Sequence, residues 1–572
     1  MTTASDSSGS SMPWFSHYDQ KIPRELSYEA ASLTDFLDRS AEQLPKTTAL
    51  IFEGYHLSYR QLKIQVDSLA ACLMEFGIEK GDRVALVLPN VIHCVAACYA
   101  VLKAGGVVVM NNPLYTDHEL EYQLNHSESK VLITLDLLGN RMIDLRPKTS
   151  VKQIVIASIG DYLPFPKNLL FPFVAPKKNL AAKVKPAKEV YYWKSLLRVH
   201  KLTIIPSSVA LDDAAMLQYT GGTTGVSKGV VLTHRNLSQQ VQQVAAWFPE
   251  FSKGEGKLLG ALPFFHVFGL TTAMNLSIFM AWTDILVVKP QPKQLLSNIN
   301  RFNPTFAPLV PTMYIGMLNS PDIDKTDLSS IQGCFSGSAP LPVEVIKEFE
   351  EKTGATIVEG YGLTETSPAT HINPFVDGKQ KAGSIGIPIS DTQCRIVDLV
   401  DSTKVLGIDE VGELQIKGPQ VMKEYWNMPE ETDRVLNDGW LSTGDIAKMD
   451  ADGYFYIVDR IKDMIISGGL NVYPREIDEV FFEHPKVEEA CAIGVKHDTR
   501  GEAIKVFLVL HKGETATEEE MFEYCQEKLA KYKWPTHIQF RKELPKSTIG
   551  KILRKVLREE ELQENQIGRE TS

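Results

Sequence analysis

The chain has 572 residues, of which 44% are apolar and 23% charged, and its formal net charge is −11. This length predicts several structural units with the composition of a globular protein. The acidic balance excludes the broad basic footprint on which nucleic-acid binding depends.

The cysteines and the N-terminus narrow the class of protein further. Seven cysteines lie scattered without a C-x-x-C pair, which favours a reduced, cytosolic compartment. Cys94 and Cys98, spaced i, i+4 in an apolar run, are expected to be core thiols rather than ligands. The first twelve residues are polar and small and predict no targeting signal. No run reaches about 18 uninterrupted apolar residues, so we predict no membrane span.

Predicted strands and helices alternate over most of the chain. After a polar arm at residues 1–28, strands are expected at RVALVLP, KVLITL and KQIVIAS, separated by helical patterns. This alternation indicates βαβ units and largely parallel sheets. Beyond Gly412 the pattern changes to hairpins with turns at Asp438-Gly439 and Asp452-Gly453. The last stretch, about 110 residues, predicts a separate α+β domain with its boundary at 460–461.

An insertion at residues 160–195 contains an unusual segment. Residues 162–188 carry six lysines, five prolines and four aromatic residues, and no acidic residue. One interpretation is a solvated, irregular loop. The other is contact with an anionic membrane surface, in which phenylalanine and leucine side chains enter the interface. The sequence leaves both open.

The stretch LQYTGGTTGVSKGVVLTHRNL, residues 217–237, predicts an anion-binding loop. AAMLQYT is expected to form a strand, and a helix is expected to begin near His234. The glycines between them let the backbone approach an anion, and hydroxyl and N–H groups can then donate to its oxygens. The loop differs from the common phosphate loop, because Ser227 precedes Lys228 and Gly229 follows it.

Further stretches supply the other parts of an ATP site. FSGSAPLP, residues 335–342, permits close backbone approach, and VEGYGLTETSPAT, residues 358–370, presents an aromatic ring and a carboxylate suited to Mg²⁺. LSTGDIAKMD and IVDRIKD offer Asp445 and Asp459 for ribose hydroxyls. Each feature alone could be structural, as an aspartate in a turn or a tyrosine in a core. Their combination predicts nucleotide binding.

Five motifs together resemble those of the adenylate-forming enzymes, which include acyl-CoA synthetases, luciferases and peptide-synthetase adenylation domains. They are YTGGTTGVSKG, EGYGLTETSP, STGD, IVDRIKDMI and PKSTIGK. The likeness covers about residues 30–560 and is closest to bacterial long-chain fatty-acid–CoA ligases. It implies an α/β AMP-binding domain over 29–460, with βαβ subdomains and a distorted β-barrel, and a small, mobile α+β domain over 461–572.

The resemblance also implies a two-step reaction. A carboxylate attacks the α-phosphorus of ATP to give an acyl-adenylate, and the thiol of coenzyme A then displaces AMP. Lys551 is the implied catalytic lysine of the first step, and His266 is expected near the acyl carboxylate. Lys462 is the implied hinge of a domain rotation between the steps. The implied CoA path consists of Ser467, Gly468 and Gly469.

The remaining implied roles concern ATP. Thr220 and Glu365 would hold Mg²⁺, Tyr361 would stack on adenine, and Asp445 would bind the ribose hydroxyls with help from Arg460. The full implied set of ATP- and AMP-binding residues is Thr220, Gly221, Gly222, Thr223, Thr224, Gly225, Lys228, Gly337, Ser338, Ala339, Glu359, Gly360, Tyr361, Gly362, Thr364, Asp445, Ile457 and Arg460.

The substrate is the least determined feature at this stage. The resemblance favours a long-chain fatty acid, with ATP, Mg²⁺ and coenzyme A. A medium-chain, aryl or cinnamate-type acid is the alternative, and a non-catalytic nucleotide-binding scaffold is a remote one. We expect a cytoplasmic protein without nucleic-acid partners. Peripheral contact with the inner face of the membrane and a homodimeric state are left open.

Overall fold

The computed structural model describes residues 12–178, 180–200, 204–206, 209–220, 227–375, 379–467, 470–497, 501–547 and 550–570. The chain divides into two compact units. The large unit comprises His17–Gln393 and Lys417–Leu441, and the small unit comprises Met1–Ser16, Cys394–Ile416 and Ser442–Ser572. In the described part of the chain, no helix combines the length and apolarity needed to cross a membrane.

The strands of the described residues are numbered in chain order. They are β1 (Thr48–Phe52), β2 (Tyr55–Ser58), β3 (Arg83–Val87), β4 (Val107–Met110), β5 (Val131–Leu135), β6 (Gln153–Ala157), β7 (Val190–Tyr192), β8 (Ala214–Thr220), β9 (Lys228–Thr233), β10 (Lys257–Gly260), β11 (Thr283–Leu286), β12 (Phe306–Leu309), β13 (Gly333–Ser336), β14 (Thr356–Gly362), β15 (Ala369–Ile372), β16 (Ile387–Pro388), β17 (Gln393–Val397), β18 (Gly412–Lys417), β19 (Glu424–Tyr425), β20 (Leu436–Asn437), β21 (Trp440–Met449), β22 (Phe455–Arg460), β23 (Ile465–Ser467), β24 (Leu470–Val472), β25 (Val487–His497), β26 (Gly501–Leu510) and β27 (His537–Phe540).

The helices are numbered in the same way. They are α1 (Leu33–Gln43), α2 (Tyr59–Glu75), α3 (Ile92–Lys103), α4 (Asp117–His126), α5 (Asp136–Leu145), α6 (Lys167–Val174), α7 (Trp193–Val199), α8 (His234–Trp247), α9 (Val267–Gly269), α10 (Leu276–Met280), α11 (Pro292–Phe302), α12 (Pro311–Leu318), α13 (Val343–Thr353), α14 (Pro429–Val435), α15 (Pro474–Phe482), α16 (Glu518–Lys528) and α17 (Arg554–Glu570).

An eight-stranded sheet in the large unit confirms the βαβ prediction. Its order is β19-β9-β8-β4-β3-β5-β6-β7, and β3 pairs in parallel with both β4 and β5. The strands predicted from RVALVLP, KVLITL and KQIVIAS correspond to β3, β5 and β6. Their apolar runs are nearly continuous because strands of such sheets are covered on both faces. Cys94 and Cys98 are buried in α3, as predicted.

The large unit also contains a nine-stranded sheet, in the order β16-β15-β14-β13-β12-β10-β11-β1-β2. Strands β12, β13 and β14 are parallel neighbours. Since parallel strands end at one edge of a sheet, the segments that follow β13 and β14 lie side by side. These segments contain the predicted nucleotide-binding residues.

The small unit contains β17, β18, β21 and β22 in one sheet and the C-terminal strands in another, with order β24-β23-β26-β25 and β27 beside β26. The predicted helix–strand–strand–helix–strand order at the C-terminus is confirmed as α15, β25, β26, α16 and β27. Residues Asp438-Gly439 and Asp452-Gly453 lie in the turns between β20 and β21 and between β21 and β22.

Packing groups the chain differently from the predicted boundary. Residues 394–416 and 442–460 belong to the same compact unit as the C-terminal segment. Lys462 therefore lies inside the small unit as defined by packing. The arm at 1–28, the boundary at 460–461 and the hinge role of Lys462 stay predictions.

Candidate active site

The predicted phosphate loop joins two paired strands of the large unit. Thr220 ends β8 and Lys228 begins β9, and the two lie opposite each other in antiparallel register. Ser227 Oγ donates to the carbonyl oxygen of Thr220 at 2.5 Å. The base of the loop is thus fixed by strand pairing. The predicted ligands Gly221, Gly222, Thr223, Thr224 and Gly225 lie outside the described residues.

Lys228 is held by an acidic and an aromatic residue. Its Nζ lies 2.5 Å from Glu431 Oε2 and 4.8 Å from the centre of the Tyr425 ring. The hydrogen bond from Lys228 lowers the pKa of Glu431. A cation held over an aromatic face and beside a carboxylate is a positioned charge. The arrangement suits electrostatic attraction of phosphates at the base of the loop.

Tyr425 also contacts the predicted metal ligand. Its hydroxyl donates to Glu365 Oε1 at 2.8 Å, and the Met422 N–H donates to the Glu365 carbonyl oxygen at 2.7 Å. Burial, and then the nearby Glu365 carboxylate, raise the pKa of Tyr425. Tyr425 therefore links the predicted magnesium carboxylate to the lysine of the phosphate loop.

Sequence reasoning missed Tyr425 and Glu431. Tyr425 lies in the stretch KGPQVMKEYW, residues 417–426, and Glu431 lies in α14 shortly after it. The pairing of β19 with β9 brings this distant stretch beside the loop. No local pattern in the sequence predicts that pairing.

The turn after β13 contacts the end of β14. Glu359 Oε1 accepts a hydrogen bond from the Leu341 N–H at 2.9 Å. A Cβ atom at Gly337 would lie 3.3 Å from the Gly360 carbonyl oxygen, and Ser338 has a φ of 74°. The structure thus brings the predicted segment Gly337–Ala339 close to Glu359 and Gly360. A small residue at 337 allows this approach.

Tyr361 and the residues after it form a compact turn. The Tyr361 ring is half-buried and contacts His371 edge-on, with the ring centres 5.9 Å apart. Burial lowers the pKa of His371 to about 3, so this imidazole is neutral. A Cβ at Gly362 would lie only 1.8 Å from the Pro368 carbonyl oxygen, so a side chain cannot be accommodated there. Thr364 and Glu365 follow in a short 3₁₀ turn.

His266 lies at the start of α9, half-buried, and its Nδ1 accepts from the Phe268 N–H at 3.4 Å. The Phe268 ring packs edge-on against Phe335 of β13, with centres 5.4 Å apart. Gln218 of β8 donates through Nε2 to the Phe265 carbonyl oxygen. The His266 turn is therefore attached to both sheets of the large unit. Gln218 was not predicted as a positioning residue.

In the small unit, Asp445 and Arg460 lie opposite each other on β21 and β22. Arg460 Nε is 3.0 Å from Asp445 Oδ1, and Asp445 is 3% exposed. The Asp445 N–H donates to Thr443 Oγ1 at 3.1 Å. Ile457, also on β22, is half-buried, and its carbonyl oxygen accepts from Arg475 at 2.9 Å. The ribose-binding pair implied by the resemblance is thus a close ion pair.

Asp459, the other aspartate that the sequence offered, is engaged with the backbone. Its carboxylate oxygens accept from the N–H groups of Arg460 and Arg475, both at 2.7 Å. Burial raises its pKa. These contacts fix the chain between β22 and α15, a structural role that the motif alone could not separate from ligand binding.

The charges of Arg460, Lys462 and Asp445 act on Lys551. Burial, and then the positive charge of Arg460, lower the pKa of Lys551 to about 7, against an opposing effect of Asp445. Burial and Arg460 likewise lower the pKa of Lys462 to about 8. The Lys551 N–H donates to Ser547 Oγ at 3.1 Å, which closes the turn that carries it. Residues far apart in sequence thus meet in one cationic cluster.

This cluster is chemically suited to an anion. Burial is the largest cause that disfavours the charged form of each lysine, and repulsion by the positive charge of Arg460 adds to it. The carboxylates of Asp445 and Asp463 oppose this effect without cancelling it. A phosphate or carboxylate would relieve that repulsion and favour the protonated lysine. Perturbed groups of this kind occur often at functional sites.

The predicted CoA path is described only in part. Ser467 ends β23, is 7% exposed and pairs with Leu470. Gly468 and Gly469 lie outside the described residues. Among the described residues, no group of three or more His, Cys, Asp or Glu side chains could hold a metal ion by itself. Mg²⁺ that binds with nucleotide phosphates needs only one or two protein oxygens, which Glu365 and Thr220 could supply.

Known proteins resemble the chain over nearly its full length. The model of the AMP-binding enzyme family matches residues 37–426, and that of the AMP-binding enzyme C-terminal domain matches residues 476–551. A long-chain-fatty-acid–CoA ligase of Bacillus subtilis is 47% identical over 560 residues, which is 98% of this chain and 100% of the relative.

Two solved structures agree with this likeness. ATP-bound MatB from Rhodopseudomonas palustris is 30% identical with a TM-score of 0.76, and covers 92% of this chain and 99% of its own. An anthranilate CoA ligase in complex with anthranoyl-AMP is 26% identical with a TM-score of 0.80, and covers 93% and 97%. The chain belongs to the AMP-binding enzyme family of adenylate-forming proteins.

Proposed function

We propose that the protein is an AMP-forming long-chain-fatty-acid–CoA ligase. It converts a fatty acid and ATP to an acyl-adenylate and pyrophosphate, and then transfers the acyl group to coenzyme A with release of AMP. The observation that carries the reaction is the cationic cluster of Arg460, Lys462 and Lys551 beside Asp445. The full-length likeness to a ligase of that name supports the substrate.

The first step brings two anions together, and this repulsion is the main obstacle. Positioned cations and donors lower such barriers without covalent chemistry. We assign Lys551 to the forming bond between the carboxylate and the α-phosphorus, and Lys228 to the departing pyrophosphate. Asp445, paired with Arg460, accepts from the ribose hydroxyls. His266, half-buried at the start of α9, is assigned to the acyl carboxylate.

Mg²⁺ belongs to the proposal as the partner of the ATP phosphates, where it neutralises charge. Glu365 is a suitable ligand because the Tyr425 hydroxyl already orients its carboxylate. Thr220, at the end of β8, offers a hydroxyl on the same side of the phosphate loop as Lys228. The protein's own contribution is to fix these oxygens in advance.

The alternative is the same chemistry on another acid. The solved relative with anthranoyl-AMP acts on an aryl acid. Pyrophosphate release should therefore be measured with octanoate, palmitate, oleate, anthranilate and 4-coumarate, each with and without coenzyme A. Highest turnover with palmitate or oleate, and acyl-CoA only when coenzyme A is present, is expected. Preference for an aryl acid would refute the assignment of a long-chain fatty acid as the substrate. ATP binding without turnover of any acid would favour a non-catalytic nucleotide-binding scaffold.

The location of the protein in the cell needs a separate experiment. We propose a cytoplasmic protein in peripheral contact with the inner face of the membrane through residues 162–188. After cell lysis, part of the protein should sediment with membranes and be released by salt. Complete recovery in the supernatant at low salt would contradict membrane contact while leaving the ligase assignment intact.

A further inference from the structure

The short helix α6 displays an apolar surface without a partner in the described structure. None of its residues is buried. Phe165 is 79% exposed, Leu169 61%, Leu170 59% and Phe173 75%. We name these four side chains the α6 face, although Phe165 lies two residues before the helix begins. Single exposed apolar residues are ordinary on proteins, whereas a continuous group of large ones marks a surface that meets a partner.

The chain holds this face outward by fixing the opposite side of the helix. The Phe171 ring lies 2.6 Å from the position of a Cβ at Gly160, so it packs closely on that backbone. Ala175, just after the helix, is buried. Before it, the Tyr162 hydroxyl donates to Gln65 at 2.5 Å and accepts from Trp193 at 2.9 Å. The α6 face is therefore presented by an anchored element.

The segment that follows α6 is also attached. Asn140 donates to the Lys183 carbonyl oxygen at 2.9 Å and accepts from the Lys185 N–H at 2.8 Å. Arg146 donates to the Lys188 carbonyl oxygen at 2.8 Å. The side chains of these three lysines are exposed, and that of Lys185 pairs with Asp144. The segment that continues the chain after α6 thus holds the exposed cations of Lys183 and Lys188 on a fixed backbone.

Charge indicates what the partner is. Residues 162–188 contain six lysines and no acidic residue, in a chain whose net charge is −11. The segment is therefore attracted to an anionic surface that repels most of the molecule. Exposed apolar side chains surrounded by lysines are typical of elements that lie in the interface of an anionic bilayer.

We propose that the α6 face inserts shallowly into anionic lipid bilayers and that the lysines of 162–188 contact the headgroups. This inference rests on the proposed function, because a long-chain fatty acid partitions into bilayers and the enzyme would then take its substrate from that surface. Four apolar side chains are a weak anchor, comparable to a single acyl chain, so binding is reversible and salt-sensitive.

Vesicle co-sedimentation of the full chain, without ATP or coenzyme A, tests the proposal. Vesicles of phosphatidylcholine are compared with vesicles of phosphatidylcholine mixed with phosphatidylglycerol. The double variant Leu169→Ser/Phe173→Ser should bind the mixed vesicles at least about tenfold more weakly. Replacing Lys183 and Lys188 by Gln should weaken binding roughly fivefold per lysine and reduce its dependence on salt.

Matched controls use exposed residues elsewhere. Leu114→Ser, at a residue 78% exposed, and Lys325→Gln, whose side chain is 75% exposed, should leave binding unchanged. Circular dichroism and the turnover of octanoate in solution show that each variant is folded. Equal binding of the wild type and the Leu169/Phe173 variant, or absence of wild-type binding, would overturn the proposal.

Two further readouts separate the alternatives. If the α6 face instead joins two copies of the chain, sedimentation velocity will give a dimer that the Leu169/Phe173 variant dissociates, and the lipid proposal is wrong. Vesicle binding does not require catalysis, so it can succeed even if the ligase assignment fails. If both hold, the variant should lose turnover of palmitate supplied in vesicles and keep turnover of dissolved octanoate.

Discussion

Replacing Lys551 by Ala should abolish most adenylate formation while sparing thioester formation. Burial and the cations Arg460 and Lys462 destabilise the charged form of Lys551 and lower its pKa to about 7. An anion that binds beside Lys551 stabilises its charged form strongly, because the anion offsets the repulsion from Arg460 and Lys462. A positioned donor to a developing anion is worth about 2.7–4 kcal/mol, so the expected loss is 10²–10³-fold in kcat. An exposed ion pair would contribute at most about 1 kcal/mol.

The assay must separate the two half-reactions. Pyrophosphate release from palmitate and ATP reports the first, and acyl-CoA formation from supplied palmitoyl-adenylate reports the second. Lys555→Ala is the matched control, because Lys555 lies on α17 with an exposed side chain 3.6 Å from Glu559. It should leave both rates within about twofold. An equal fall of both half-reactions in Lys551→Ala would refute the assignment, and an unchanged pyrophosphate rate would refute it as well.

Three other predictions concern pH, magnesium and stability. The kcat/KM for ATP should fall as pH rises above about 7, because only protonated Lys551 is cationic, and this limb should vanish in Lys551→Ala. Glu365→Gln should raise the Mg²⁺ concentration needed for half-maximal pyrophosphate release on the order of 10–100-fold, and Tyr425→Phe about tenfold, whereas unchanged titrations would exclude the metal role. Arg554→Ala should lower the free energy of unfolding by about 3–5 kcal/mol in denaturant titrations, because it leaves the buried Asp478 carboxylate without its cationic partner. The loss should be smaller below the Asp478 pKa of about 7, where this carboxyl is protonated, and equal losses at all pH values would contradict this cause.

The sequence predicted the architecture well where local patterns decide it. The strand AAMLQYT and the helix beginning at His234 appear as β8 and α8. The Asp-Gly pairs lie in hairpin turns because glycine and aspartate tolerate the positive φ angles that such turns need: Asp438 and Gly439 have φ angles of 50° and 78°. These strands, helix starts and turns depend on residues that are adjacent in sequence, so local sequence patterns are sufficient to predict them.

Long-range pairing was the part that local patterns could not supply. Tyr425 reaches Glu365 and Lys228 only because β19 pairs with β9, about two hundred residues earlier in the chain. Likewise, the sequence motifs identify Asp445 and Lys551, but the repulsion that Arg460 and Lys462 exert on Lys551 follows from their packing. A resemblance can assign a role to each residue, whereas the electrostatic reason for that role requires the fold.

The two lysines of the predicted site differ in how their charge is balanced. Lys228 contacts Glu431 at 2.5 Å and lies over the Tyr425 ring, so its cation has resident partners. Lys551 is repelled by Arg460 and Lys462, and the carboxylates of Asp445 and Asp463 do not offset burial and this repulsion. A balanced cation gains little additional stabilisation when an anion binds, whereas a destabilised one gains much. Because catalysis requires interactions that strengthen as charge develops, the electrostatics favour Lys551 for the chemical step and leave Lys228 to hold the phosphates in place.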